Sequence, residues 1–289
     1  MKLSRFTQKL GFVCAAVVLT LALPTPVFPQ KIVNSLPGPV LTYADLADLS
    51  LASTLVGYIR IRKAQALKPG QSVGLLPGRK RYLITADLVS LILGDGGLLP
   101  RIAFLADVAS DSRGKQPKLG KAQMIVFAVP GGGRLDEVRL VSPDAMISAT
   151  PDALAKVRSI LSQARATDAP LPLGGITDVY HVAGSIEGEG ETQIFLQTTK
   201  GVPVSLSVTR LSGQEPQWSV ALSELVDEGL RPPPRDTFLW YRLACFLPRT
   251  LPAQSIADLA TSDAESARRD YGFILSSLGP CPRTLRIRP

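Results

Sequence analysis

The chain has 289 residues, 45% of them hydrophobic and 19% charged, with a formal net charge of +8. That apolar content excludes a disordered chain and allows one large or two ordinary domains with packed cores. A single histidine, His181, excludes a zinc site built from several imidazoles, and a Ser-His-Asp triad would have to use it.

Lys2, Arg5 and Lys9 open the chain, and residues 10–23 follow as an uncharged run of Val, Ala and Leu. Charge followed by an apolar stretch is the layout of a secretory signal, and the run is shorter than the about 20 residues of a membrane span. The stretch Ala22-Leu23-Pro24-Thr25-Pro26-Val27 holds no clean pair of small residues for cleavage. Residues 1–30 therefore read either as a signal peptide or as an N-terminal anchor. Cys14 lacks the small residues that precede a lipoprotein cysteine. Either way the basic end stays inside and the body is exported, periplasmic or anchored to the membrane. Residues 31–40, with Pro37 and Pro39, read as a linker.

Residues 41–168 are expected to form an OB-like β-barrel or sandwich with a closing helix. Thr42, with Asp45 three residues on, predicts a short capped helix. Alternation then predicts strands around Tyr58–Arg62 and 102–108, and in the ambiguous stretch 82–93 Thr85 and Asp87, two apart, favour strand over helix. Residues 122–129 are a continuous apolar run short enough for a buried strand, and 137–141 adds another after Gly131-Gly132-Gly133. Thr150-Pro151-Asp152 is a strong helix start, and Ala169-Pro170-Leu171-Pro172 a plausible boundary.

Residues 173–289 are expected to form an antiparallel β-meander with C-terminal helices. Ile194 and Leu196, then Val204, Leu206 and Val208, then Trp218, Val220 and Leu222 alternate with polar neighbours. Lys200-Gly201 and Ser212-Gly213 supply the turns. Three strands with one dry face result, and that face needs a cover. Residues 237–247, apolar nearly all round, and a helix from a Ser262–Glu265 capping box to Gly279-Pro280 provide it. The fold class is thus α+β and mainly β: a small barrel or sandwich, then a meander covered by helices.

With Cys14 in the leader, the exported body keeps Cys245 and Cys281. An oxidising compartment predicts a disulfide between them, the alternative being two thiols with Cys245 a small buried apolar residue. His181, in Val179-Tyr180-His181-Val182, reads as a satisfied structural histidine. Glu187, Glu189 and Glu191 alternate with glycines at a spacing foreign to calcium loops and read as a solvated hairpin lead-in. Gly131–Gly133 lacks the Lys-Ser/Thr helix start of a nucleotide loop and reads as a turn. Ser112-Arg113-Gly114-Lys115 matches a Ser-x-x-Lys spacing, but Gly114 and Pro117 place it in a loop. Trp240 and Tyr241 beside Arg242 are the candidate binding residues, through stacking and cation–π contact with a sugar or peptide. Arg60, Arg62, Lys63 and Arg79-Lys80-Arg81 form the densest basic group, with Arg283, Arg286 and Arg288 at the tail. The group reads first as a solvated face; as a binding surface in an exported protein it suits an anionic envelope polymer or a lipid surface, not nucleic acid.

Residues 188–196, Gly-Glu-Gly-Glu-Thr-Gln-Ile-Phe-Leu, and 240–248, Trp-Tyr-Arg-Leu-Ala-Cys-Phe-Leu-Pro, carry a resemblance. The chain resembles a group of exported proteobacterial proteins with no known activity, so the resemblance implies none. The strand pattern of 55–129 is similar to small OB-like barrels, a likeness of fold that sets no function. The expectation is an exported, non-enzymatic cell-envelope protein with a binding or structural role and no cofactor or metal. The alternative is an envelope hydrolase with a dispersed site around His181.

Overall fold

The computed structural model describes residues 40–95, 100–111, 113–222 and 231–285. The leader, residues 31–39 of the linker, Ser112, Arg286 and Arg288 lie outside the described residues. The protein is α+β and mainly β, with two antiparallel sheets and four helices.

Helix α1 (Tyr43–Ala52) starts at the expected capping box. The Thr42 hydroxyl accepts from the Asp45 N–H at 3.2 Å, and the Asp45 carboxylate accepts from the Thr42 N–H at 2.9 Å. Each side chain thereby satisfies a main-chain donor that a helix start leaves open. The first sheet contains β1 (Leu55–Ala66), β2 (Arg79–Leu93), β3 (Arg101–Ala109), β4 (Gln123–Pro130), β5 (Val138–Leu140) and β6 (Met146–Ser148). Its order is β3-β2-β1-β4-β5, with β6 also paired to β4. The two ends of this path meet. Ala103 of β3 forms a parallel bridge with Glu137, and its N–H donates to the Asp136 carbonyl at 2.7 Å. The sheet thereby closes on itself as a barrel through a single bridge.

Ile59, Ile61, Ile84, Ile102, Phe104 and Val126 fill the barrel. Strand β4 explains why residues 122–129 lack alternation. Met124, Val126 and Ala128 face the barrel, while Ile125 and Phe127 face a second core under the helices. A strand buried on both faces reads as an unbroken apolar run. Helix α2 (Pro151–Arg165) follows, its N-cap Thr150 hydroxyl accepting from the Ala153 N–H at 3.1 Å.

The second sheet is a meander of four strands, not three: β7 (Leu173–Ala183), β8 (Gly190–Thr198), β9 (Pro203–Arg210) and β10 (Gln217–Ala221), paired in sequence order. Strand β7 escapes the period-two pattern because its register slips twice, between Leu173 and Gly175 and between Ile176 and Asp178. Each slip resets which side of the sheet a residue faces. The turns fall where the glycines predict, with positive φ at Gly201 and Gly213. Even-numbered residues of 192–198, 204–208 and 218–220 form the dry face.

Helices α3 (Phe238–Phe246) and α4 (Thr261–Leu278) pack on that face. The capping box expected at Ser262 is absent. The N-cap is Ala260, and Ser262 sits within the first turn. The other end of α4 closes as predicted, at Gly279 with φ 69°. Both tryptophans secure this end, the Trp240 indole N–H donating to the Leu278 carbonyl and that of Trp218 to the Ser277 hydroxyl, each at 2.8 Å. Cys245 and Cys281 form a disulfide with Cα atoms 5.2 Å apart. Helices α1 to α4 and the dry face share one core, so residues on both sides of the 169–172 segment pack together.

Candidate functional site

His181 lies on the inward side of β7, opposite Thr192 of β8. Its Nδ1 stands 2.9 Å from the Thr192 hydroxyl, which in turn donates to Asp270 of α4 at 2.5 Å. Arg210 of β9 pairs with the other Asp270 oxygen. The Thr192 hydroxyl has one proton and spends it on the carboxylate. His181 must therefore donate from Nδ1. Histidine, hydroxyl and carboxylate do converge, but in the opposite sense to a hydrolase, where the hydroxyl donates to the imidazole. Thr192 and Asp270 are fully buried. The arrangement ties β7, β8, β9 and α4 together, and the expected apolar setting of His181 is polar on its inward side.

Trp240, Tyr241 and Arg242 serve the core. Trp240 and Tyr241 are each 2% exposed. The Tyr241 hydroxyl donates to Asp48 at 2.6 Å, and burial first, then this bond, pushes its pKa up. The Arg242 guanidinium lies 4.7 Å from the Phe238 ring centroid and donates to the Pro170 carbonyl at 3.1 Å. The cation–π contact foreseen for Arg242 exists, but its partners are internal. Trp240 and Tyr241 therefore offer no stacking surface, while Phe246 at the last position of α3 is 45% exposed.

The basic group is largely matched by acids. Arg62 meets Asp87 at 2.6 Å, Arg79 meets Asp144 at 2.5 Å, Arg81 meets Asp107 at 2.6 Å and Arg283 meets Asp48 at 2.6 Å. Arg60, Lys63 and Lys80 stand exposed. Of the other motifs, Asp111 accepts from the Arg113 and Lys115 N–H groups, which makes residues 113–115 a turn. Glu189 accepts from the Ser212 N–H at 2.8 Å and so braces its hairpin. Among the described residues no three metal-ligating side chains gather, and no helix is long and apolar enough to cross a membrane.

The barrel seam holds a groove of about 720 Å³. Its wall is the outer face of β2 and β3, where Leu83 pairs with Leu105 and Arg81 with Asp107. The two leucines are 41% and 50% exposed. Arg81 grips Asp107 with two bonds of 2.6 and 2.7 Å, which holds a flat charged pair beside the leucines. Arg139 of β5 stands exposed at the opposite wall. Pro100 and Ser110 bond to β2 at either end of β3, so by alternation the even residues of β3 do too. The odd ones, Leu105 among them, turn their N–H and C=O toward the seam. The Gly131–Gly133 turn forms the rim. A side chain at Gly131 would come within 2.8 Å of the Glu137 carbonyl, so only glycine fits that close approach. Leu83 and Leu105 carry no local signal of exposure, since alternation alone marks them as strand. The groove becomes visible only when β3 and β5 meet.

Compared with known proteins, the chain matches no family model, no curated protein and no solved structure.

Proposed function

We propose that this is an exported, non-enzymatic cell-envelope protein, periplasmic or held at the membrane by residues 1–30, which binds its partner at the barrel seam. The seam groove carries this reading. It sets exposed Leu83 and Leu105 beside a fixed Arg81–Asp107 pair and an exposed Arg139. An apolar patch with a few convergent polar groups is the usual make-up of a binding site. The strand order with parallel closure supports an OB-like barrel, whose strands 2 and 3 and neighbouring loops bind oligomeric ligands. Exposed Arg139 favours an anionic envelope polymer or lipid headgroup. The His181 relay favours a structural over a catalytic imidazole, because its hydroxyl partner is buried and already committed.

Two experiments test the reading. Residues 1–40 fused to a reporter active only outside the cytoplasm should give signal, and silence with expression confirmed ends the export proposal. The full chain should co-sediment with phosphatidylglycerol vesicles or bind polygalacturonate, more weakly in high salt. Arg139→Glu should weaken that binding, and binding indifferent to both salt and Arg139→Glu removes the seam as the site.

A further inference from the structure

The outer face of the meander carries a second, differently built depression. The Ile176–Asp178 slip in β7 leaves Thr177 and Asp178 both exposed, side by side. Bulges commonly re-aim side chains toward a site. Two residues on, Tyr180 is 58% exposed, and its ring stands edge-on to Phe195 of β8 with centroids 5.7 Å apart and planes at 84°. Gln197 completes a shallow pocket of about 460 Å³. From Tyr180 the register runs straight across the sheet through Gln193 and Ser207 to Ser219. That row holds one aromatic, one amide and two hydroxyls, with no charge.

We propose that this face binds a neutral pyranose chain, with one ring seated in the Tyr180–Phe195 pocket. The lining decides the ligand class. Two aromatic rings set at right angles give an apolar wall for the C–H face of a sugar. The Asp178 carboxylate accepts from hydroxyl donors, and the Gln197 amide both donates and accepts. Asp178 is the only charged side chain in the pocket lining, so a polyanion is repelled where the barrel would attract it. The row Gln193–Ser207–Ser219 continues the hydrogen-bonding path for further rings. At about 4.8 Å between strands the path from Tyr180 to Ser219 crosses three spacings, roughly 14 Å. The site lies on different residues from the seam groove and stands or falls separately from the barrel reading.

Selective labelling tests it, because the chain holds only six tyrosines. Full-length protein with ¹⁵N-tyrosine is titrated with chitotetraose and, separately, maltotetraose, Tyr180 being assigned from Tyr180→Phe. With at least one sugar the Tyr180 amide should shift, with Kd on the order of 1 mM, while Tyr58 and Tyr82 of the barrel stay still. Tyr180→Ser, followed through selective glutamine labels, should weaken binding about tenfold or more, as loss of a stacking ring predicts. Gln197→Ala should also weaken it with the fold unchanged. No shift with either sugar at about ten times that concentration overturns the proposal. So does movement of the barrel tyrosines in place of Tyr180. So does a shift of Tyr180 with tetramethylammonium alone, which would make the pocket a cation site.

Discussion

The Thr192 hydroxyl donates to the Asp270 carboxylate at 2.5 Å across 78 residues of sequence, tying the second strand of the meander to the last helix. Because Arg210 holds the other oxygen of Asp270 and His181 donates to Thr192, four elements meet at one buried carboxylate. Removing the hydroxyl leaves two polar groups without their partner. Thr192→Val should cost about 1–3 kcal/mol. Asp270→Ala, which strands the Arg210 charge, should cost about 3–5 kcal/mol. Urea unfolding of the full chain measures both. Nitrogen NMR of the single imidazole should find the proton on Nδ1 in the neutral form, and the opposite tautomer would break the donor order.

Acid should loosen the C-terminal clasp. Burial alone would raise the Asp45 carboxyl, but bonds from the Leu285 and Thr42 N–H groups and from the Thr284 and Thr42 hydroxyls outweigh it and hold the pKa below the ordinary value. A carboxyl depressed in the folded state stabilises above its unfolded pKa of about 3.9 and loses that contribution as pH falls through the folded value. The Thr284 and Leu285 amide signals should therefore hold position from neutral pH to about 4 and move below it. In Asp45→Asn that acid transition should vanish.

The meander's register is open to a paired substitution. Leu206 is fully buried and Ser207 faces outward. Leu206→Asp should unfold the protein or cost at least about 3 kcal/mol, since a buried carboxylate without a partner is expensive. Ser207→Asp should change stability by less than about 0.5 kcal/mol. Equal effects in thermal melts would contradict the assigned faces.

The Cys245–Cys281 bond joins the end of α3 to the chain just beyond α4 across a sequence separation of 36. The loop-entropy relation gives about 3–4 kcal/mol for a loop of that length. Cys281→Ser should lower the urea midpoint accordingly, with Cys245→Ser matching it. Intact-mass analysis after alkylation should find both thiols blocked until reductant is added.

Much of the architecture is local chemistry and so is legible in the sequence. The Thr42–Asp45 capping box, the Thr150-Pro151-Asp152 start, the Gly201 and Gly213 turns and the dry even-numbered face of the meander each depend on neighbours within a few residues. The disulfide is legible from the cysteine count together with the expectation of an oxidising compartment. Where a local rule has a rival, it misleads. Ser262–Glu265 has capping-box spacing, yet α4 begins at Thr261 with Ala260 as its N-cap, and Ser262 lies inside the first turn. Strand β7 hides because a bulge exchanges inside for outside, which no fixed period can follow.

By itself the sequence determined the class of the fold, the order of most elements and the cysteine pairing, because periodicity, caps and turns act over a few residues. It also predicted an exported chain through the charge and apolarity of its first residues. Only the tertiary structure decided which side chains are available to a partner. Trp240 and Tyr241 look like a binding face and are core, because α1, α4 and the meander pack around them. Leu83, Leu105 and Tyr180 look like ordinary strand residues and stand exposed beside concave surface. Burial depends on what lies across the sheet or helix, and those neighbours arrive from positions as far as Asp48 is from Tyr241, 193 residues away in the chain.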